Sequence, residues 1–189
     1  TLGFSNPYGF LGGPGAIMTV ADGAYLDLGS DTTVAAWIRL NSTADATLIA
    51  KQPATGTGPG YAISLEGGRL KAEGWGVNSE HHAVTAPVLA NTWLHVVLVW
   101  KQNDQLRLYV NGNLLASKAT TGAIDFGIAP LRVTVDGGVD DLRVYNRALP
   151  SGAITALSSG RSCINAGSAW SDAVNDLQCV LADAEPGDE

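Results

Sequence analysis

The sequence predicts an all-β protein, a two-sheet antiparallel sandwich of the jelly-roll type. Three observations predict this class. Charged residues are sparse, at 15% of 189 residues, while glycine contributes 23. Short apolar segments alternate with polar residues at a period of two, and turn dipeptides recur between them. Strands at short intervals with almost no helix are typical of sandwiches and jelly rolls.

The middle of the chain carries the clearest strand pattern. "YAISLEGGRLKAEGW" (61–75) and "WLHVVLVWKQNDQLRLYV" (93–110) each read as two alternating segments joined by a turn. Asn111-Gly112 follows, and both residues tolerate the positive φ of a tight hairpin turn. Further strands are predicted over 14–20, 24–28, 33–40, 131–135 and 139–145, with a long loop over 76–91 and a short helical turn at 154–157.

The last thirty residues differ in character from the sandwich, which we assign to residues 1–158. "SAWSDAVNDLQCVLADAEPGDE" (168–189) has apolar residues at helical spacing. Residues 159–189 are therefore predicted to be a separate C-terminal segment with an amphipathic helix. Both cysteines, Cys163 and Cys179, lie in this segment. Two readings stay open for them: one disulfide in a secreted protein, or two small buried thiols.

Composition excludes two kinds of partner. The net charge is −7 and no basic cluster is visible, so a nucleic-acid ligand is not expected. No apolar run approaches the roughly 18 residues of a membrane-spanning helix. Because the chain shows no signal peptide, we expect either a mature chain or an excised fragment.

Four stretches in order carry a family resemblance, which covers roughly residues 10–157. They are "MTVADGAYLDL" (18–28), "TTVAAWIRL" (32–40), "NTWLHVVLVWKQNDQLRLYVNGNLLAS" (91–117) and "GGVDDLRVYNRALPSGAITAL" (137–157). Together they resemble the laminin G-like, concanavalin A-like jelly rolls of bacterial extracellular proteins. The resemblance implies a concanavalin A-like sandwich and a secreted or cell-surface location.

The tail has a resemblance of its own. "GSAWSDAVNDLQCVLADAEPGDE" is similar to the segment that opens certain secreted right-handed parallel β-helix domains. There a Trp-bearing helix covers the first coil of the β-helix. This resemblance implies that the chain is one module of a larger multidomain protein.

The laminin G-like resemblance also implies a calcium ion. Many such jelly rolls hold calcium between the opening Asp-Gly and the acidic pair of the closing strand. Here the side chains would be Asp22, Asp140 and, less firmly, Asp141, with backbone carbonyls near Gly23 and Gly138. Carboxylates mixed with carbonyls from glycine-rich turns suit a cation that takes six to eight oxygens. Binding would join the first and last strands and so stabilise the fold.

Strand alternation raises the same question about Asp140. In an unbroken strand Asp140 shares the apolar face with Leu142, while Asp141 points the other way with Arg143. A charge on the apolar face needs a partner. Besides calcium, backbone amides, Arg143 or Arg147 are open alternatives for that partner.

We expect no catalytic site. A glycanase needs two carboxylates about 5–9 Å apart across the scissile bond. Glu66 abuts a turn and Glu73 stands alone, and no strand carries acids at alternate positions. "SEHHAV" contains Glu80, His81 and His82, which in a polar loop are expected to be solvated; a metal or acid–base role is the open alternative. No phosphate-binding loop, nucleophile elbow or dinucleotide fingerprint is present.

A candidate glycan-binding face begins at Trp75. Alternation along 69–75 places Trp75 with charged residues on the polar face of its strand, where an indole can stack on a pyranose. Asn78, His81 and His82 follow in the loop, and Tyr109 lies on the polar face of its own strand. Two alternatives stay open: Trp75 covered by a loop, or packed on the tail.

The remaining sandwich tryptophans, Trp37, Trp93 and Trp100, are expected in the core. The sequence thus favours a non-catalytic, lectin-like module that binds a polysaccharide or another glycan. Two alternatives stay open: a protein–protein adhesion or spacer module of a larger surface protein, and an accessory domain of a β-helix polysaccharide lyase.

Overall fold

The computed structural model describes residues 2–4, 10–12, 16–27, 29–54 and 58–159. Thirteen strands and one helix lie in these ranges. They are β1 (Leu2–Phe4), β2 (Phe10–Gly12), β3 (Met18–Val20), β4 (Thr32–Leu40), β5 (Ala46–Lys51), β6 (Tyr61–Glu66), β7 (Arg69–Trp75), β8 (His81–Pro87), β9 (Trp93–Trp100), β10 (Gln105–Val110), β11 (Asn113–Ala119), β12 (Leu131–Val133), β13 (Gly137–Tyr145) and α1 (Ser151–Ser158). No helix in these ranges has the length and hydropathy to cross a membrane.

The described strands form two antiparallel sheets, which confirms the predicted sandwich. Sheet A has seven strands in the order β1-β13-β4-β9-β10-β11, with β2 also paired to β13. Sheet B has six, in the order β3-β12-β5-β6-β7-β8. Four consecutive strands, β5 to β8, run as a meander in sheet B. The outer face of this meander is where the polar and aromatic residues described below come together.

The main core lies between the sheets and follows from alternation along the strands. Val34, Ile38 and Leu98 of sheet A meet Ile63 and Leu70 of sheet B, all fully buried. Trp100 is also fully buried, as predicted. Burial of apolar surface at about 25 cal/mol per Å² makes this cluster the main source of stability.

Turn chemistry fixes the hairpin registers. Asn111 and Gly112 have φ of 51° and 78° between β10 and β11, the two positive values expected from an Asn-Gly hairpin turn. Gly67 and Gly68 have φ of 57° and 72° between β6 and β7. The register across the second turn sets Glu66 opposite Arg69 and Ala62 opposite Glu73.

The predicted strand pattern needs three corrections. Residues 24–27 form no strand: the Leu26 amide donates to the Gly23 carbonyl at 2.8 Å, and Leu26 fills the core from a turn. The predicted loop over 76–91 contains β8, because Val84 and Ala86 alternate inward behind a His-His pair that obscures the pattern. Strands β1, β2 and β5 were not predicted.

A second core lies on the outer face of sheet A, beneath α1. Ile154 and Leu157 of α1 pack on side chains that alternate away from the main core. The strand residues of this cluster are Ala35, Val97, Val99, Tyr109 and Tyr145. Thr33 of β4 fastens the segment that leads into α1. Its hydroxyl accepts from the Leu149 amide at 3.0 Å and donates to the Arg147 carbonyl at 2.8 Å.

A β-bulge corrects the prediction for Asp140. Asp140 pairs with Trp37, the register shifts before Arg143, and Asp141 has φ of 49°. The extra residue reverses the phase of the alternation, so Val139 and Leu142, three residues apart, both face the main core. Asp140 therefore lies on the outer face of sheet A and not on the apolar face, and its carboxylate accepts from the Asp141 amide at 2.8 Å. Asp141 accepts from Arg143 Nε at 2.6 Å.

The predicted tail features lie outside the described residues. These are the helix within 168–189, the cysteine pair Cys163 and Cys179, and the resemblance to a β-helix opening. The division of the chain at residue 158 stays a prediction, as does the presence of a further domain.

Candidate functional site

A stacked aromatic pair marks the outer face of sheet B. Trp75 ends β7 and His81 begins β8, directly opposite it in the strand register. Their ring centroids are 4.7 Å apart and the planes are inclined by 28°. Trp75 is half-buried and His81 is 38% exposed, so the pair is open to solvent at the His81 side. The Trp75 indole Nε1 is buried without a hydrogen-bond partner among the described residues.

Glu73 is the polar centre of this face. Its side chain is 7% exposed, and a carboxylate at that depth is costly unless it is paired. Lys71 Nζ and His81 Nε2 both lie 2.9 Å from Glu73 Oε2, and Gln52 Nε2 donates to Oε1 at 3.4 Å. Glu73 therefore holds the imidazole that stacks on Trp75 and sets its orientation.

Lys71 joins two carboxylates. Its ammonium lies 2.9 Å from Glu66 as well as from Glu73. Partial burial acts to lower the pKa of Lys71, but the hydrogen bonds to Glu66 and Glu73 outweigh it and the pKa lies above its ordinary value. Lys71 is therefore a permanent cation at neutral pH, balanced by its two acidic neighbours.

The turn between β7 and β8 is fastened to the segment after β11. Asn78 Nδ2 donates to Thr121 Oγ1 at 2.8 Å, and the Thr121 hydroxyl in turn donates to Glu80. The hydrogen bond from Thr121 is the main cause of a lowered pKa at Glu80. Asn78 is exposed in this turn, three residues after Trp75 in the chain.

Two of the predicted ligand residues lie elsewhere. His82 follows His81 in β8 and so points inward, where it is 6% exposed and meets Trp100 edge-on at 5.3 Å. Tyr109 lies on sheet A, 5% exposed beneath α1, and cannot share a face with Trp75. Alternation placed Tyr109 on the correct face of β10, but the predicted helical turn at 154–157 was not expected to cover that face, as α1 does.

Two tryptophans depart from their predicted core positions. Trp93 is 43% exposed at the start of β9, and Trp37 is half-buried on the outer face of sheet A. Trp37 packs on His95, with ring centroids 5.3 Å apart. Burial lowers the pKa of His95 to about 4, so the imidazole is neutral at neutral pH.

The acids predicted to share a calcium ion have different partners. Asp22 lies 2.7 Å from Lys51 Nζ, whereas Asp140 lies on the outer face of sheet A beside Trp37. The Gly23 carbonyl accepts from Leu26, and Gly138 is paired between β2 and β4. Among the described residues, no group of three or more His, Cys, Asp or Glu side chains is placed to hold a metal ion. These contacts do not fit one calcium ion shared by Asp22 and Asp140, and calcium binding stays a prediction.

The two-sheet topology, the Trp-bearing hairpin strands and the closing strand with its short helix define a sandwich of the concanavalin A-like class. A sequence profile of the laminin G group, described as the concanavalin A-like lectin/glucanases superfamily, matches residues 11–155. The chain belongs to this family. No match was found among curated protein sequences.

Solved structures with the same fold include toxin binding domains. The binding domain of Paraclostridial Mosquitocidal Protein 1 aligns with a TM-score of 0.56 at 22% identity, over 70% of this chain and 38% of that one. The botulinum neurotoxin serotype D binding domain aligns with a TM-score of 0.63 at 17% identity, over 80% and 41%. A serotype D ligand binding domain in complex with N-acetylneuraminic acid gives 0.63 at 16%, over 79% and 41%. The chain thus spans less than half of each, and the likeness concerns the fold alone.

Alternation along β7 predicted that Lys71, Glu73 and Trp75 share one face, but Glu73 was predicted to stand alone. The missing partners come from neighbouring strands. His81 arrives opposite Trp75 only through the register of β7 and β8, and Gln52 arrives from the end of β5. The available signal was the charge alternation Arg69, Lys71, Glu73 within β7.

Proposed function

We propose that this chain is a non-catalytic, lectin-like module that binds a glycan, within a secreted or cell-surface bacterial protein. The observation that carries the proposal is the Trp75–His81 stack over the buried Glu73 on the outer face of sheet B. An aromatic surface with fixed polar groups at its edge is the arrangement that recognises a pyranose ring.

Each part of the face has a role in this proposal. The aromatic pair supplies the apolar surface for the C–H face of a sugar. His81 and Asn78 offer exposed polar groups for hydroxyls, while Glu73 keeps the imidazole in place. Because these residues lie on paired strands and a tight turn, little ordering entropy is lost on binding.

The arrangement of the acids supports a non-catalytic role. Glu66 and Glu73 share one contact on this face. The Lys71 ammonium lies 2.9 Å from each of the two carboxylates. A glycosidase needs a sugar in that space, and one of its acids needs a raised pKa. Here a lysine occupies the space.

The fold neighbours support a sugar ligand as a class. One of them is a toxin ligand binding domain in complex with N-acetylneuraminic acid. The site proposed for this chain rests on its own residues, and the sugar it prefers is to be found by screening. That the chain is one module of a larger protein, next to a β-helix, is also part of the proposal.

The test is a glycan-array screen with three proteins: native, Trp75→Ala and Trp93→Ala. Trp93 is the matched control, because it is an exposed tryptophan on the other sheet. We expect specific hits for native and Trp93→Ala, and at least a tenfold loss for Trp75→Ala, equivalent to about 1.4 kcal/mol or more. Unfolding curves should show that Trp75→Ala remains folded. The screen is run with calcium and with a chelator.

Absence of hits on folded native protein, or equal loss in both variants, would contradict the lectin proposal. A second candidate would then lead: a protein–protein adhesion module. Strand β11 favours it, because this edge strand of sheet A exposes Leu114 and Leu115 at 49% and 46%. An exposed apolar edge is a surface to which another chain can add a strand.

A further inference from the structure

The ammonium of Lys51 is completely buried. Lys51 ends β5 and its side chain has 0% exposure. An ammonium at such a position is tolerated only where charges and hydrogen bonds replace its water. Four oxygens do so here: Asp22 Oδ1 at 2.7 Å, Asp27 Oδ1 at 3.0 Å, the Phe126 carbonyl at 3.0 Å and the Gly127 carbonyl at 3.4 Å.

This set of oxygens, which we call the Lys51 cage, comes from two distant loops. The carboxylates belong to the turn between β3 and β4, and the carbonyls to the segment before β12. Three contacts lie within 3.0 Å, which matches the three N–H donors of an ammonium. The cage carries two negative charges, and the ammonium of Lys51 is held by contact with both carboxylates.

Two carboxylates and two carbonyls from turns are also the kind of donors that hold a hard metal ion. The distances, however, are those of N–H···O hydrogen bonds and are longer than the calcium–oxygen range of about 2.3–2.6 Å. We propose that Lys51 is a built-in cation: its ammonium takes the place of the calcium that the family resemblance implies at Asp22, and it holds the Asp22–Asp27 turn to the segment before β12. The native protein then binds no calcium at Asp22.

The Lys51 cage also borders the candidate site. Gln52 follows Lys51 in the chain and contacts Glu73, while its carbonyl accepts from Arg132 at 2.8 Å. Gly60 packs so tightly on Lys51 that a Cβ there would lie 1.6 Å from the Lys51 carbonyl, and its own carbonyl accepts from the Trp75 amide at 3.0 Å. The inference does not depend on the proposed function, because its test reads stability and cation binding.

The test compares Lys51→Ala with Lys51→Met. Removing the ammonium leaves the Asp22 and Asp27 carboxylates, whose side chains are 27% and 40% exposed, without the cation they share, and we expect the Tm of both variants to fall by about 5 °C or more in chelator. Lys51→Ala also leaves space, so calcium, or methylamine as a replacement for the lost ammonium, should restore several degrees. Lys51→Met fills that space and should regain much less. For native protein, Tm should be the same in calcium and in chelator.

Two results would overturn the proposal. One is a native Tm that rises with calcium and loses this response in Asp22→Asn. The other is a folded Lys51→Ala protein that responds to neither calcium nor methylamine. If Lys51→Ala does not fold in chelator, the readout becomes refolding: recovery in calcium or methylamine supports the cage, and no recovery in either counts against it. Calorimetric titration of the native protein with calcium tests the proposal independently of any variant.

Discussion

The outer faces of the two sheets follow the same alternation of side chains, but one is covered by the chain and the other is open to solvent. On sheet A the outward residues Val97, Val99 and Tyr109 are buried beneath α1 as a second core. On sheet B the outward residues Lys71 and Glu73 are polar and lead to the Trp75–His81 pair at the solvent edge. Face polarity therefore decides which side of the sandwich is covered by the chain itself and which stays open to solvent.

The two faces also differ in how their buried ionisable groups are stabilised. On sheet A, burial keeps His95 neutral by lowering its pKa to about 4. On sheet B, the buried Glu73 retains partners on three sides, namely Lys71, His81 and Gln52. Burial thus disfavours the charged imidazole at His95, whereas the buried carboxylate of Glu73 is compensated by its hydrogen-bond partners.

The largest expected effect comes from loosening the cover of sheet A. Ile154 is fully buried between α1 and the strands, so Ile154→Ala should lower the free energy of unfolding by about 2–5 kcal/mol. Urea unfolding measures this loss. The control is Ser151→Ala, an exposed position on the same helix, expected to change stability by less than about 0.5 kcal/mol. Glycan binding should survive Ile154→Ala, and its loss would show that the two faces are coupled.

An acid titration tests whether the His95 imidazole on the outer face of sheet A is buried and neutral. Because the folded pKa of His95, about 4, lies below the unfolded value of about 6.5, the unfolded chain binds the extra proton between these values. The stability that His95 contributes is complete above about pH 6.5 and is lost as pH falls toward 4, in total about 3 kcal/mol.

His95→Gln should remove that part of the acid sensitivity. Urea unfolding of native and variant protein at several pH values between about 7 and 4 measures it. We expect the difference in stability between the two proteins to shift in favour of His95→Gln as pH falls. Parallel curves would contradict a buried, neutral imidazole.

The smallest of these effects concerns the charge on sheet B. Glu73→Gln keeps the shape of the side chain but removes the charge that Lys71 and His81 contact, and we expect a loss of about 1–2 kcal/mol in stability. Glu66→Gln is the matched control, since Glu66 is 62% exposed and its contact with Lys71 should contribute less than about 1 kcal/mol. Glycan affinity should weaken several-fold in Glu73→Gln and change little in Glu66→Gln; the reverse order would remove Glu73 from the site.

Much of the molecule follows from local sequence. Period-two alternation predicted most strands of both sheets, and Asn111-Gly112 predicted its hairpin because both residues accept positive φ. The same alternation placed Lys71, Glu73 and Trp75 on one face. Alternation failed for Asp140, because a bulge at Asp141 adds one residue and reverses the phase for everything before it. An Asp that accepts positive φ was the only local sign of the bulge.

What the sequence determined by itself is therefore the class of fold, the turns and the polarity of each strand face, since these depend on neighbours two to four residues apart. Only the tertiary structure decided which faces are covered and which side chains meet. Tyr109 became core because α1 folds over it, His81 reached Trp75 through strand register, and Lys51 at the end of β5 met Asp22 and Asp27 in the turn after β3. Such contacts join residues far apart in the chain, and the free energy that selects them comes from burial and charge pairing in three dimensions, which no local pattern records.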